Sequence, residues 1–432
     1  MTVLTKFSEK TLYDYQQNDL DTIFDYLDSA PTDTNLLYQL PTGGGKTVIF
    51  SEIARRYIKE TGKKVLILTH RIELLGQTSR HLSDINVKNK IIVSKVKDLP
   101  DEQQYMCFVA MVETLNNRLR DDKMDFDNLG LVIVDEAHYN SFGKLLRFYE
   151  KGVLLGVTAT PLSSNINIRM RDTYDELIVG ESISSLINKG YLARATTWHY
   201  QVGLTSLKIG MNGDYTVSSS ERLYNNFAMQ DKLLSAYKEK SLGKKTLIFN
   251  NGIATSQYVY ATFQEAGFNI RHLDHKHSSK ERRDILDWFH ETPDAILTSV
   301  SILTTGFDEP TVESIILNRA TRSLTLYFQM IGRGSRKLHN KNTFTVIDLG
   351  NNAARFGLWS EPVDWQHIFK SPEYYLENLR DDVDIEMHFK YQMPPELRAK
   401  FKNTADISFD VDKEHKEIIS KNLRSKVVID LS

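Results

Sequence analysis

The sequence predicts an α/β protein built as two parallel-sheet lobes in tandem, followed by a short C-terminal extension. Three observations predict it. Short apolar runs alternate with helical stretches from about Asn35 to Thr160 and again from Gln230 to Gly350. The runs are continuously apolar, as strands buried on both faces of a parallel sheet must be. Between these blocks the rhythm lapses, and the segment carries the turn signals Gly203, Gly210 and Asn212-Gly213-Asp214.

In chain order, Leu36–Leu40 reads as a strand and Lys46–Lys59 as an amphipathic helix. Val65–Thr69 is the next strand, followed by a helix from about Ile72 to Leu82. Tyr105–Val112, Leu129–Val134 and Gly152–Val157 continue the first sheet. Residues 1–182 therefore form lobe one. Residues 183–229 read as a linker with helix and strand or hairpin elements. Lobe two spans 230–350, with strands at Thr246–Asn250, Ile270–Leu273, Ala295–Ser299, Ser314–Leu317 and Thr343–Asp348. Helices are expected near Thr255–Ala266 and Lys280–His290. Residues 351–432 form the extension, aromatic and charged and without a repeat.

Composition narrows the classes without choosing one. With 432 residues, 41% hydrophobic and 25% charged, the chain fits a soluble globular protein. No apolar run is long enough to cross a bilayer, and the first residues lack the apolar core of a secretory signal. A cytoplasmic location and no membrane partner are expected. The only cysteine, Cys107, excludes an internal disulfide and a cysteine-rich zinc site. A net charge of -2 argues against a surface coated in basic residues but leaves room for a local groove that meets phosphates.

Two motifs carry chemistry. Pro41-Thr42-Gly43-Gly44-Gly45-Lys46-Thr47 lies between a strand and a helix, the setting a phosphate-binding loop requires. Its glycines let the backbone approach the anion, and the amides at the helix start point at it. Lys46 suits the β- and γ-phosphates of ATP and Thr47 suits Mg2+. Downstream, Asp135-Glu136-Ala137-His138 follows the apolar strand, where a carboxylate faces the ligand crevice of an open sheet. Asp135 would hold the magnesium ion and Glu136 would orient and deprotonate the attacking water. An ordinary glycine turn or a solvated acidic helix start would explain either motif alone, but not the two in this order and setting.

The Asp-Glu-Ala-His run resembles the DEAH box of superfamily 2 helicases, whose lobes are RecA-like. Other boxes of that family follow in order. Tyr15-Gln16 resembles the element in which a glutamine, here Gln16, reads adenine; Tyr13 stands where relatives often have arginine. Thr69-His70-Arg71 with Glu73-Leu74 and Gln77 resembles motif Ia, which implies His70 and Arg71 as nucleic-acid contacts, together with Thr114. Thr158-Ala159-Thr160 resembles motif III, which implies His138, Thr158 and Thr160 as the coupling residues between ATP and strand.

In lobe two, Thr304-Thr305-Gly306-Phe307-Asp308-Glu309-Pro310 resembles motif V, with Thr305 assigned to a backbone phosphate and Asp308 to the ribose. Gln329-Met330-Ile331-Gly332-Arg333-Gly334-Ser335-Arg336 resembles motif VI. That implies Gln329 at the γ-phosphate or water, and Arg333 and Arg336 as arginine fingers, which contribute about 10³ to 10⁵ in rate where such groups act. The family's cleft between lobes closes on ATP and opens on ADP. Within superfamily 2 the boxes are most similar to the RadD and XPB group, which includes the helicase subunits of type I and type III restriction enzymes. That resemblance implies a DNA helicase or translocase, monomeric in its core, using ATP and Mg2+ and favouring DNA over RNA. Expected settings are repair, recombination, branched-structure remodelling or phage–host conflict. An RNA helicase, or a motor gated by a protein partner docked on the extension, are the alternatives.

The remaining features carry less. RadD's cysteine-rich zinc element cannot exist here. His272, His275 and His277 lack the partner spacing of a metal site and fall in a family strand and loop. Asp381-Asp382 and Asp384 read as a solvated acidic surface. Trp359, Trp365, Tyr374 and Tyr375 read as packing of the extension against lobe two rather than as stacking platforms.

Overall fold

A computed structural model describes residues 12–29, 31, 34–93, 104–115, 128–139, 142, 152–164, 168–300, 303–304, 306–379, 381–382 and 408–410; of Ile72, Glu73 and 408–410 it describes the backbone only. Thr305 and Asp384 lie outside the described residues. The chain divides into two compact units, Met1–Ser182 with Asp364–Pro372, and Ile183–Val363 with Glu373–Ser432.

Unit one opens with α1 (Asp14–Ser29), β1 (Asn35–Gln39), α2 (Lys46–Thr61), β2 (Lys64–Thr69) and α3 (Ile72–Asp84). It continues with β3 (Asn89–Ile92), β4 (Cys107–Met111), β5 (Leu129–Asp135), β6 (Val153–Thr158) and β7 (Glu176–Val179). The seven strands run parallel in the order β3-β4-β2-β5-β6-β1-β7. The central strands are the continuous apolar runs, and Leu66, Ile67, Ile133 and Leu155 are fully buried. Register sets the site. Gln39 pairs with Thr158 and Asp135 with Val157, so the phosphate loop, the acidic pair and motif III leave the same edge of the sheet.

Unit two contains α4 (Ile183–Asn188), β8 (Arg194–Tyr200), α5 (Val217–Tyr224), α6 (Phe227–Lys240), β9 (Thr246–Asn250) and α7 (Ile253–Glu265). Then come β10 (Ile270–Leu273), α8 (Ser279–Glu291), β11 (Ile296–Val300), β12 (Ser314–Asn318), α9 (Leu324–Gly332) and β13 (Thr343–Asp348). After α10 (Asn352–Phe356), the short helix α11 (Trp365–Lys370) belongs to unit one; α12 (Pro372–Glu377) and β14 (Ser408–Asp410) follow. The second sheet has the order β10-β11-β9-β12-β13-β8-β14, parallel except for β14.

Two expectations about the connecting segments change. Residues 183–229 do not stand apart as a linker: β8 pairs with β13 over six residues, from Arg194↔Thr343 to Asp348↔His199. Its alternating residues hide one buried face, so it lacks the unbroken apolar run of an interior strand. The extension also divides. Trp359 is buried edge-on to Phe344 in unit two, 5.9 Å between rings. Trp365 lies on α11, where Gln366 Nε2 donates to Leu177 O of β7 at 2.7 Å in unit one. Asp382 is not a solvated charge, because it pairs with the buried guanidinium of Arg355 and accepts from the Tyr215 hydroxyl.

Candidate functional site

Loop geometry explains the glycines. Gly43 and Gly45 have φ of 90° and 87°, in the left-handed region that L side chains resist. A Cβ on Gly45 would lie 2.6 Å from Gln16 Nε2, and one on Gly44 2.8 Å from Leu40 Cγ. Gly45 is the N-cap of this 16-residue helix α2 and offers no side-chain cap, and the first amides of a helix are the groups that meet an anion. Leu40, at the position of the first glycine in the general phosphate-loop pattern, is buried and donates its amide to Thr158 O at 2.9 Å.

The Tyr15-Gln16 element is wired to this loop. The buried Tyr15 hydroxyl donates to Gly44 O at 2.7 Å, and Gln16 Oε1 accepts from Tyr13 N at 3.0 Å. α1 is fixed by Asp19, which accepts from Tyr38 at 2.6 Å, and by Arg56 of α2, which donates to Gln17 at 2.8 Å. Tyr15 is a positioning residue that sequence reasoning passed over, since it gave a role only to the glutamine beside it. Replacing Tyr15 with Phe removes one buried hydrogen bond from the loop, about 1 kcal/mol. We expect KM for ATP to rise about fivefold on that scale, with kcat less affected. Unchanged KM in steady-state kinetics would refute the positioning role.

Asp135 and Glu136 stand where β5 ends. Asp135 Oδ1 accepts the amide of Glu136 at 2.9 Å. Burial, then repulsion from Glu136, pushes the Asp135 carboxyl well above the usual range, and Lys46 opposes the shift. Lys46 is thus close enough to Asp135 to act on its charge; its Nζ also donates to Leu40 O at 3.4 Å. Glu136 holds φ of 51°, a strained value for a side chain with a Cβ, of order 1–3 kcal/mol, and such strain is retained where a function demands it.

From Glu136 a buried chain of contacts runs across the sheet edge. Glu136 Oε2 is 3.4 Å from His138 Nδ1, which is 3.1 Å from Thr158 Oγ1. Thr158 Oγ1 in turn donates to Thr160 O at 2.9 Å and accepts the Thr160 amide at 3.2 Å. The Tyr139 ring lies between His138 at 4.5 Å and His70 at 5.0 Å, tilted to both. The expected coupling residues and one expected strand contact are therefore brought together. Arg71 is half-buried at the start of α3, and Thr114 is half-buried in the short helical stretch after β4.

Burial, with His138 adding and Glu136 opposing, lowers the proton affinity of His70 from 6.5 to about 4. The unfolded chain therefore takes up this proton first as pH falls. The site's contribution to stability is complete above 6.5 and is lost progressively as pH falls towards about 4. We expect the unfolding midpoint to drop across that window and the slope to flatten in His70→Gln. Parallel curves for the two proteins would remove His70 from the account.

In unit two, Gln329 is buried on α9 and Arg333 caps that helix. Arg333 donates to Phe307 O and, at 2.7 Å, to Thr304 O, while Arg336 Nε donates to Asp308 Oδ1 at 2.9 Å. The arginines of motif VI are thus bonded to motif V. Sequence reasoning missed Asp214, read only as part of a turn. Its carboxylate accepts from Thr321 Oγ1 at 2.7 Å and from Arg322 N at 2.7 Å, and it lies 3.4 Å from the Arg319 guanidinium. It thereby anchors the segment that leads into α9.

Known proteins resemble both parts of the chain. The family described as "Type III restriction enzyme, res subunit" matches residues 9–163, and "Helicase conserved C-terminal domain" matches residues 226–337. A 51.5 kDa protein of a Lactococcus phage is 30% identical over 338 residues, covering 77% of this chain and 70% of the relative. The putative ATP-dependent helicase IRC3 of Saccharomyces cerevisiae is 30% identical over 377 residues, and the match spans 82% of this chain but only 54% of the yeast protein. In fold, the chain resembles a fragment of a putative HsdR subunit of a type I restriction enzyme from Vibrio vulnificus, with a TM-score of 0.61 at 21% identity over 80% of this chain and 65% of that one. Among the described residues no helix is long and apolar enough to cross a membrane. With both halves matched in order over RecA-like sheets, the chain belongs to the superfamily 2 helicases, ATP-hydrolysing nucleic-acid motors, in the group that includes the restriction-enzyme helicase subunits.

Proposed function

We propose that the chain is a DNA helicase or translocase that hydrolyses ATP at a centre formed by Lys46, Asp135 and Glu136. The observation that carries this reading is the buried chain from Glu136 through His138 to Thr158, with His70 adjoining through Tyr139. It places the carboxylate that would activate water in contact with residues that would sense the strand. Such a continuous run of contacts is what coupling between the two ends would need.

The donor set fits a hard cation: Asp135 is a buried carboxylate and Thr47 adds a hydroxyl, the oxygen ligands Mg2+ prefers. The ion would neutralise the phosphate oxygens as charge develops on them. Lys46 and the loop amides, including those of Thr42, Gly43, Gly44 and Gly45, would cradle the phosphates, and Gln16 would read the adenine. Asp308 would take the ribose, Thr305 a backbone phosphate, and Gln329, Arg333 and Arg336 the γ-phosphate. Arg333 and Arg336 bond to motif V in this structure, which ties both arginines to that segment.

DNA is favoured over RNA because the first half matches a restriction-enzyme family and motifs V and VI resemble that branch. Repair, recombination and phage–host conflict are the settings such a motor suits. ATPase rates at fixed salt with no polymer, single-stranded DNA, duplex DNA, a fork and RNA test the reading. Stimulation by DNA, strongest on one geometry, is expected. Stimulation by RNA alone would convert the reading to an RNA helicase, and none by any polymer would point to a motor gated by a protein.

A further inference from the structure

Outside the nucleotide motifs, three metal-ligating side chains converge at the end of β10 and in the turn leading to α8: His272, Asp274 and His277. One donor atom of each lies within 4.8 Å of the others. His272 Nε2 is 3.1 Å from Asp274 Oδ2, and His277 Nδ1 is 3.0 Å from Asp274 Oδ1. Donors around an ion bound at about 2.0–2.2 Å stand about 2.9–3.5 Å apart, so these pairs already have the spacing of neighbours in a coordination shell. The sequence grouped His275 with the two histidines. Here His275 is exposed and outside the cluster, and the third member is the buried Asp274.

Two further observations point to a ligand rather than to a turn alone. The far nitrogen of His272, Nδ1, is 2.8 Å from Ser256 Oγ, itself 2.9 Å from Thr298 Oγ1. A ring anchored at one nitrogen presents the other in a fixed direction, the outer support that metal-binding histidines use. The protons around His277 also conflict. Its Nδ1 accepts the Asp274 amide at 3.2 Å while facing Asp274 Oδ1 at 3.0 Å. Unprotonated, the nitrogen sets a lone pair against a carboxylate; protonated, it sets a hydrogen against the amide's. A cation among the three groups would take the lone pair that faces the carboxylate and offset the carboxylate's charge.

We propose that His272, Asp274 and His277 bind one divalent transition-metal ion of the zinc class, open on the side of His277. Two imidazoles and one carboxylate select zinc, cobalt or nickel over magnesium, which separates this site from the nucleotide's cation. Asp274 is buried, and its Oδ1 also accepts the Lys276 amide at 2.8 Å, which fixes the carboxylate between the two rings. His277 directly precedes Ser278, the N-cap of α8, whose side chain accepts from Glu281 N at 3.3 Å. The ion would therefore clip the end of β10 to the start of α8. This site does not depend on the reading of the motor.

The test is calorimetric titration of the metal-stripped full chain with zinc in excess Mg2+, together with cobalt spectra. One zinc per chain is expected, with a raised unfolding temperature. Ser256→Ala, a small change that leaves all three ligands in place, should weaken zinc about tenfold. His277→Ala, on the exposed side, should weaken it by more and abolish the cobalt absorption, while His275→Ala should bind as wild type. No bound zinc, or equal affinity in wild type and His277→Ala, would overturn the proposal and leave a hydrogen-bonded turn. Should His277→Ala unfold, Ser256→Ala with unchanged affinity overturns it equally.

Discussion

Lys46→Ala is expected to abolish ATP turnover. The loop would keep its shape, since Gly43, Gly45 and the Tyr15 hydroxyl fix it without the lysine. What disappears is the positive charge that would meet the β- and γ-phosphates. There is a second consequence in the protein itself. Lys46 opposes the upward shift of the Asp135 carboxyl, so its removal pushes that carboxyl further up and favours the protonated form. A protonated Asp135 is a poor magnesium ligand, and the two losses reinforce one another. Steady-state ATPase measurement with DNA present checks this; near-normal turnover in the variant would sink the phosphate-loop assignment.

Glu136→Gln is expected to separate binding from chemistry. Glutamine has nearly the same shape, and the strained backbone at φ of 51° is no more costly for it than for glutamate. The amide cannot take a proton from water, so the hydrolytic step should slow by about 10² to 10⁴, the usual contribution of a general base. Nucleotide binding should survive, and the protein should accumulate on DNA in its ATP form. Single-turnover hydrolysis and DNA retention with ATP read out the two halves. Hydrolysis at the wild-type rate would remove Glu136 as the base. Because Glu136 also faces His138 at 3.4 Å, the substitution reports on the coupling chain, and a loss of DNA stimulation beyond the loss of rate would locate it there.

These expectations rest on residues already visible in the sequence, and the reason is physical. A strand buried on both faces must be apolar throughout, so β1, β2, β5, β9 and β12 announce themselves. A loop that meets phosphates needs left-handed backbone at fixed places, so Gly43-Gly44-Gly45-Lys46-Thr47 does too. Carboxylates at the end of a buried strand complete the pattern. Each of these is a local requirement, satisfied within a few residues, and local requirements leave a mark in the order of amino acids.

What only the tertiary structure decided lies at the edges of the sheets and in contacts between distant segments. β3 and β7 are short and only partly buried, and β8 buries alternate residues, so none shows the unbroken apolar run that marks an interior strand. The anchoring of residues 319–322 by Asp214 spans more than a hundred positions, and in sequence that aspartate is one member of a turn. The return of Trp365 to unit one, and the replacement of His275 by Asp274 beside His272 and His277, follow from the path of the backbone. A hydrogen bond or an ion pair constrains two side chains where they meet, and leaves no periodicity in either segment by which the other could have been found.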